Sequence, residues 1–96
     1  MADLLTDPEI DERLAPLDGW RREGDAIVCD RELADFAAAM RWVNEVAEEA
    51  EAANHHPDIL VHGWNKVRLT VTNHSAGGLT QADFDLAATI DAMPGG

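Results

Sequence analysis

The chain has 96 residues, a formal net charge of −12, one cysteine and no tyrosine. This length fits a single domain, 1–96, whose modest hydrophobic core would gain from oligomerisation. The negative charge disfavours nucleic acid and anionic membranes as partners. No apolar run approaches the ~20 residues of a spanning helix. The lone Cys29 and the lack of a secretory segment predict a cytoplasmic protein.

The first predicted elements are a short helix and a β-hairpin. Thr6 and Glu9 match a capping box at the start of the helix, and Pro16 marks its end. Two extended runs then flank Gly24-Asp25, a dipeptide compatible with a tight turn. The hairpin strands are predicted at Trp20–Glu23 and Ala26–Asp30.

A long helix is predicted from about Leu33 to Ala53. Its apolar residues recur every three or four positions, which keeps one set on the same side: Phe36, Met40, Val43, Ala47 and Ala50. Three further residues widen this apolar stripe, namely Ala39, Trp42 and Val46, and Trp42 is expected in the core. The glutamates of the helix mostly occupy its solvated side.

After His56-Pro57 the hydrophobic period changes from helical to alternating. Ile59–Trp64 is predicted as a strand, Asn65-Lys66 as its tight turn, and Val67–Thr72 as the returning strand. Thr80 then begins a last helix that ends before Pro94. The order α-β-β-α-β-β-α predicts an α+β fold, with a small four-stranded antiparallel sheet and the helices packed on one face.

The charge is distributed unevenly, and the histidines lie in the less charged part. Residues 1–54 hold fifteen acidic and five basic side chains, whereas residues 55–96 hold four acidic and two basic ones. All four histidines fall within twenty consecutive positions: His55, His56, His62 and His74. A chemical reason for this clustering is the main question that the sequence raises.

Three of the histidines are expected at one rim of the sheet. His55 and His56 follow the long helix, and Pro57 favours an extended backbone before it. A turn at Asn65-Lys66 brings residues 57–58 opposite 73–74, which places His74 near the histidine pair. Unperturbed imidazoles titrate near ~6.5, which suits general acid–base catalysis at neutral pH. Glu51 lies one helical turn before His55, where a carboxylate could orient an imidazole or hold a polar ligand.

Simpler interpretations compete with a catalytic one. A His-His pair in a loop is often a coincidence, and three histidines could instead bind zinc, although neither a helical His-x-x-x-His spacing nor a second cysteine supports a metal. His62 fits a surface position in a strand, Cys29 a small packing residue, and Asp83 a helix cap. Trp20 and Trp64 bound extended runs, and either could provide an aromatic wall.

One set of residues recurs at fixed intervals across the second half of the chain. It runs Glu51-x-x-x-His55-His56-Pro57, six residues, Trp64, nine residues, His74, eight residues and Asp83. Shorter segments accompany it: Gly19-Trp20, Asp35-Phe36, Asn65-Lys66-Val67 and Ala76-Gly77-Gly78-Leu79. Together they resemble the signature of the pterin-4a-carbinolamine dehydratases, over about residues 10–92.

This resemblance implies a lyase that needs no metal and no bound cofactor. Members of that family dehydrate 4a-hydroxytetrahydropterin to quinonoid dihydropterin, a step in tetrahydrobiopterin recycling, by histidine acid–base catalysis. The matching catalytic residues are His55, His56 and His74, with His55 and His74 as the acid–base pair. The positions that match substrate-binding or pocket-lining residues are Asn54, His55, His56, Thr72, Asn73, His74, Ser75, Glu51, Trp20 and Asp83.

The resemblance also implies a homo-oligomer, a dimer or a tetramer, and it leaves one alternative of a different class. Some members bind a transcription factor and stabilise its dimer, so a non-catalytic dimeric interaction module is the second hypothesis. Retention of all three histidines favours the enzyme. Two positions depart from the family pattern: Asn54 stands where some members have an aspartate, and Trp64 replaces the commoner tyrosine.

Overall fold

A computed structural model describes residues 3–94 of the chain. Its elements are α1 (Asp7–Leu14), β1 (Trp20–Glu23), β2 (Ala26–Glu32), α2 (Phe36–Ala53), β3 (Asp58–His62), β4 (Lys66–Val71) and α3 (Gln81–Asp91). The strands form one antiparallel sheet in the order β1-β2-β4-β3. The predicted α+β fold and element order are confirmed. Within residues 3–94, no helix has the length and apolar character needed to cross a membrane.

The hydrophobic core lies between the three helices and one face of the sheet. Alternation along β2 and β4 directs five fully buried side chains to this face, namely Ile27, Cys29, Val67, Leu69 and Val71. The helices add Ile10 from α1, Trp42 and Val46 from α2, and Phe84, Leu86 and Ile90 from α3. On the opposite face, hydrogen bonds from Arg68 and Arg21 lower the pKa of Asp30. One face of the sheet is therefore dry, and the other carries ion pairs.

The start of α1 forms as the sequence predicts. The Oγ1 atom of Thr6 accepts a hydrogen bond from the backbone N–H of Glu9 at 3.3 Å, and the Glu9 carboxylate accepts from the Thr6 N–H at 2.9 Å. This reciprocal pair satisfies two N–H groups that a helix start otherwise leaves unbonded. The helix ends at Leu14, two residues before Pro16.

The long helix α2 begins three residues later than predicted. Its N-cap is Asp35, whose side chain accepts a hydrogen bond from the N–H of Ala38 at 2.7 Å. Leu33 lies outside the helix because its N–H donates to the carbonyl of Asn65 at 2.8 Å. A bond to a distant segment thus sets the helix start, and the local apolar pattern does not reveal it.

The side of α2 that faces the core is one part of the predicted apolar stripe. The buried residues are Ala39, Trp42, Val46 and Ala50, whereas Phe36 is 54% exposed and Met40 and Val43 are half-buried. The predicted stripe is thus buried only in part: its members Ala39, Trp42, Val46 and Ala50 reach the core, whereas Phe36 and Ala47 are exposed. Two apolar stripes lie side by side on this helix, and the Trp42 stripe faces the sheet because an indole buries the larger apolar area there.

The second hairpin turns earlier than predicted. His62 pairs with Lys66, so the turn occupies residues 63–65, and the predicted turn at Asn65-Lys66 is wrong. Gly63 and Trp64 both have positive φ angles, 54° and 59°, which are uncommon for a bulky residue such as Trp64. Asn65 fixes this turn, because its Nδ2 donates to the carbonyl of Leu33 at 2.9 Å. The hydrogen bond to Leu33 thus supports the turn in which Trp64 adopts a positive φ.

The early turn shifts the strand register by three residues. Asp58 lies opposite Thr70, whereas the sequence-based pairing placed it opposite residues near 73–74. The shift leaves the ends of the sheet unchanged. The β1–β2 turn, the end of β4 and the start of β3 share one end, which we call the histidine rim and define as residues 24–25, 54–57 and 72–75. The β3–β4 turn lies at the other end.

Candidate active site

Asp83 is a fully buried carboxylate near the start of α3. Its Oδ2 atom accepts hydrogen bonds from the backbone N–H of Thr80 at 2.7 Å and from the Thr80 hydroxyl at 3.2 Å, which closes a capping box. Its Oδ1 atom lies 2.5 Å from Nε2 of His55. The cap residue expected from the sequence therefore holds an imidazole with its second oxygen.

The end of α2 directs His55 towards this carboxylate. Asn54 adopts the left-handed conformation, with φ 51° and ψ 42°, and the N–H of His55 donates to the carbonyl of Ala50 at 3.0 Å. Asparagine tolerates this conformation better than most residues, which gives Asn54 a clear structural role. The His55 side chain is only 15% exposed. Since Nε2 faces Asp83, Nδ1 is the ring atom left for a ligand.

His56 points away from the core and pairs with a different carboxylate. Its Nε2 atom is hydrogen-bonded to the Oε2 atom of Glu51, and both side chains are largely exposed, at 58% and 76%. Glu51 thus contacts His56, and His55 has Asp83 as its partner. The reversal of the chain at Asn54 explains this, because it brings His56 back over the last turn of α2.

His74 lies in a compact loop between β4 and α3. Asn73 organises the loop: its N–H donates to the carbonyl of Gly78 at 3.2 Å, and its side chain accepts from the N–H of Ala76 at 3.0 Å. Ser75 lies in the same loop. A cavity of about 280 Å³ opens beside it, and its walls include Asp25, Ala26, Thr72, Asn73, His74, Gly77 and Gly78. Small-molecule sites usually start near this size.

The three histidines share the histidine rim, but they do not share a cavity wall. His55 lines a smaller cavity of about 160 Å³, with Asp85 and Thr89 of α3, while His74 lines the larger one. Asp25 also lines the larger cavity, although its sequence context predicts only a turn. The pairing of β2 with β4 brings Asp25 to the cavity, and this pairing cannot be deduced from a single sequence.

The two tryptophans considered as aromatic walls occupy different environments. Trp20 lies in the core, 6% exposed, and its Nε1 finds no hydrogen-bond partner among residues 3–94. Trp64 is 60% exposed and lies in the β3–β4 turn, at the end of the sheet opposite the histidine rim. Neither lines the cavity beside His74.

Cys29 and a zinc site are the two remaining alternatives to chemistry by the histidines. Burial raises the pKa of the Cys29 thiol to about 11, so the thiol is protonated at neutral pH and packs in the core. In the part of the chain that the structure describes, no three His, Cys, Asp or Glu side chains group closely enough to hold a metal ion.

Comparison with models of protein families shows the family to which this chain belongs. The sequence model of the family described as "Pterin 4 alpha carbinolamine dehydratase" matches residues 3–93. The chain belongs to this family. The match includes the histidine rim and the signature between Glu51 and Asp83, since both lie within residues 3–93.

Related sequences extend over almost the whole chain. A protein of Nostoc sp. is 51% identical over 93 residues, and one of Roseiflexus sp. is 54% identical over 93 residues. Each alignment covers 97% of this chain and 99% of the relative. Both relatives are provisionally named pterin-4-alpha-carbinolamine dehydratases. The family relationship thus applies to the full length of these proteins.

Solved structures agree with this family fold. A Brucella melitensis protein described as a transcriptional coactivator/pterin dehydratase superposes with a TM-score of 0.88 at 33% identity, covering 94% of this chain and 97% of its own. A pterin dehydratase-like protein, described as a RuBisCO assembly factor in the alpha-carboxysome, gives a TM-score of 0.64 at 23% identity, with 77% and 87% coverage. The second similarity concerns the fold alone.

Proposed function

We propose that this pterin-4a-carbinolamine dehydratase family member dehydrates 4a-hydroxytetrahydropterin to quinonoid dihydropterin and water, as a hydro-lyase in tetrahydrobiopterin recycling. The observation that carries the proposal is the pairing of His55 with the buried Asp83 at the rim where His74 also lies. Family membership supplies the substrate class. The paired imidazole supplies a group that can accept or donate a proton.

The proposed reaction requires two proton transfers. One imidazole removes the proton from N5, the N5 electron pair forms the C4a=N5 double bond, and the C4a–O bond breaks. A second, protonated imidazole delivers a proton to the departing hydroxyl, which leaves as water. In the proposal His55 and His74 form this acid–base pair. His55 acts through Nδ1, because Asp83 occupies its Nε2.

The remaining rim residues position the substrate in this proposal. Thr72 and Asn73 line the larger cavity, and Ser75 and Asn54 flank the histidines in sequence. His56 adds a third imidazole that Glu51 orients. Two further residues act by keeping the pocket in shape, namely Asp83 at the start of α3 and Trp20 beneath the sheet.

A stopped-flow measurement of carbinolamine loss, followed by ultraviolet absorbance, tests the proposal. We expect the wild-type protein to accelerate the loss in proportion to its concentration, because each positioned acid–base group contributes about 10²–10⁴-fold. We also expect the rate to survive extensive chelation, since imidazoles carry the proton transfers. A loss no faster than in buffer would refute the enzyme assignment, and a rate restored only by zinc would favour the metal alternative.

A second candidate function is a non-catalytic interaction module, and the exposed apolar side chains favour it. Among residues 3–94, five large hydrophobic residues are more than one-third exposed: Leu4, Phe36, Ile59, Leu60 and Trp64. Exposed apolar surface can take part in protein binding. The stopped-flow assay separates the two functions, because an interaction module would leave the carbinolamine to decay at its uncatalysed rate.

We propose a homo-oligomer, a dimer or a tetramer, located in the cytoplasm; the edge strand β3 supports the oligomer. Its free backbone edge lies next to Leu60, which is 52% exposed, and an unpaired edge is a natural site for strand addition. We expect light scattering to give a mass of two or four chains, and Leu60→Glu to shift it towards one. Leu4→Glu, at 55% exposure outside the sheet, is the matched control. A monomeric wild-type protein would contradict this proposal.

A further inference from the structure

Asp25, Glu51 and Asp83 are three of the acidic side chains at or beside the histidine rim, and they differ in what they contact. Asp83 is bonded to Thr80 and His55, and Glu51 is bonded to His56. Asp25 is exposed, and within residues 3–94 its carboxylate makes no hydrogen bond and no ion pair. Among these three acids, Asp25 is therefore the one available to a ligand.

The backbone fixes Asp25 at the wall of the larger cavity. The Thr72 hydroxyl donates to the carbonyl of Asp25 at 2.5 Å, which ties the β1–β2 turn to the end of β4. On the other side, the Asp25 Oδ1 lies 3.9 Å from where a Cβ on Gly78 would stand. The carboxylate thus borders the same space as His74, with glycine backbone opposite it.

We infer that Asp25 is a specificity-determining residue that binds the pyrimidine ring of the pterin, an inference that rests on the proposed function. The 2-amino group and N3–H of a pterin are two adjacent donors on one edge. A carboxylate can accept from both at once, in the bidentate arrangement that it also forms with guanidinium groups. Thr72, Asn73 and His74 also line that cavity.

The position of Asp25 also suits the proposed chemistry. In the pyrimidine ring C4a lies across from C2, so anchoring the C2 edge fixes the distance from Asp25 to the reacting carbon. β2 and β3 are the outer neighbours of β4, two strand spacings apart, which amounts to about 10 Å. A pterin anchored beside β2 can therefore extend past the end of β4, which precedes His74, towards the start of β3, which follows His55.

The test compares two heterocycles that differ at this edge. Pterin carries the 2-amino group, whereas lumazine carries a 2-oxo group, which is an acceptor facing the carboxylate. We expect wild-type protein to bind pterin at least 10-fold more tightly than lumazine, as measured by fluorescence titration. In Asp25→Asn this preference should disappear, with pterin affinity reduced 10- to 100-fold, since hydrogen bonds to charged groups are the stronger ones. Asparagine is well tolerated in turns, so the hairpin should persist.

Asp11→Asn is the matched control, because it removes the same charge from an exposed position of α1. It should leave both affinities and the dehydration rate unchanged. If wild-type protein prefers pterin and Asp25→Asn keeps that preference, the assignment of Asp25 is overturned while the proposed function stands. If wild-type protein neither binds pterin nor dehydrates the carbinolamine, the proposed function falls and the assignment falls with it.

Discussion

The double variant His55→Ala/His74→Ala is expected to dehydrate 4a-hydroxytetrahydropterin no faster than buffer. Each imidazole transfers one of the two protons, and a positioned acid or base contributes about 10²–10⁴-fold. Each single variant should lose at least about 100-fold in kcat. Because both groups act in one elimination step, the combined loss should be smaller than the product of the single losses.

His62→Ala provides the control for this experiment. His62 ends β3 next to the turn at residues 63–65, at the end of the sheet away from the histidine rim. It is exposed and should leave kcat unchanged. Circular dichroism would show that all variants keep the α+β fold. Equal rates for wild type and the double variant would refute the acid–base assignment, and a comparable loss in His62→Ala would indicate a general effect of removing histidines.

Local chemistry made much of the fold predictable from the sequence. Thr6 and Glu9 close the capping box that their spacing predicts, and Gly24-Asp25 turns the first hairpin as expected. The interactions that decide these features lie within about four residues of each other. The same holds for Pro57, before which the long helix ends.

The errors arose where a distant contact decides the local structure. Leu33 stays outside α2 because it is bonded to Asn65, and the same contact supports the turn that places Trp64 at positive φ. The part of the apolar stripe of α2 that is buried has a similar origin, since residues on both sides of the stripe fit the helical period. Packing against the sheet chose the stripe that contains Trp42.

The candidate site was likewise predictable only in part. The spacing of Glu51, His55 and His74 indicated a rim, because strand order places their segments at one end of the sheet. The partner of each imidazole was not predictable, since helical spacing favours a Glu51–His55 contact and the left-handed Asn54 redirects it to His56. Asp25 was missed because its role depends on the pairing of β2 with β4.

Replacing Asp83 by asparagine is expected to lower kcat by about 10²–10⁴-fold while changing KM little. An amide at this position can still accept from the Thr80 N–H, so the start of α3 is retained. Its NH₂ group would then face Nε2 of His55, which must accept and therefore carries its proton on Nδ1. In that tautomer Nδ1 cannot accept a proton from the substrate, and comparable tautomer changes in other enzymes have effects of this size.

Nitrogen NMR of the His55 ring separates this effect from a loss of stability. In the wild-type protein the neutral ring should carry its proton on Nε2, facing Asp83, and Asp83→Asn should move it to Nδ1. Thr80→Ala is the matched control, because it removes the hydroxyl bonded to Asp83 and should cost about 1 kcal/mol of stability without changing the tautomer. If Asp83→Asn keeps both the Nε2 proton and a wild-type kcat, Asp83 is only a helix cap, and the dehydratase mechanism would need another group to orient His55.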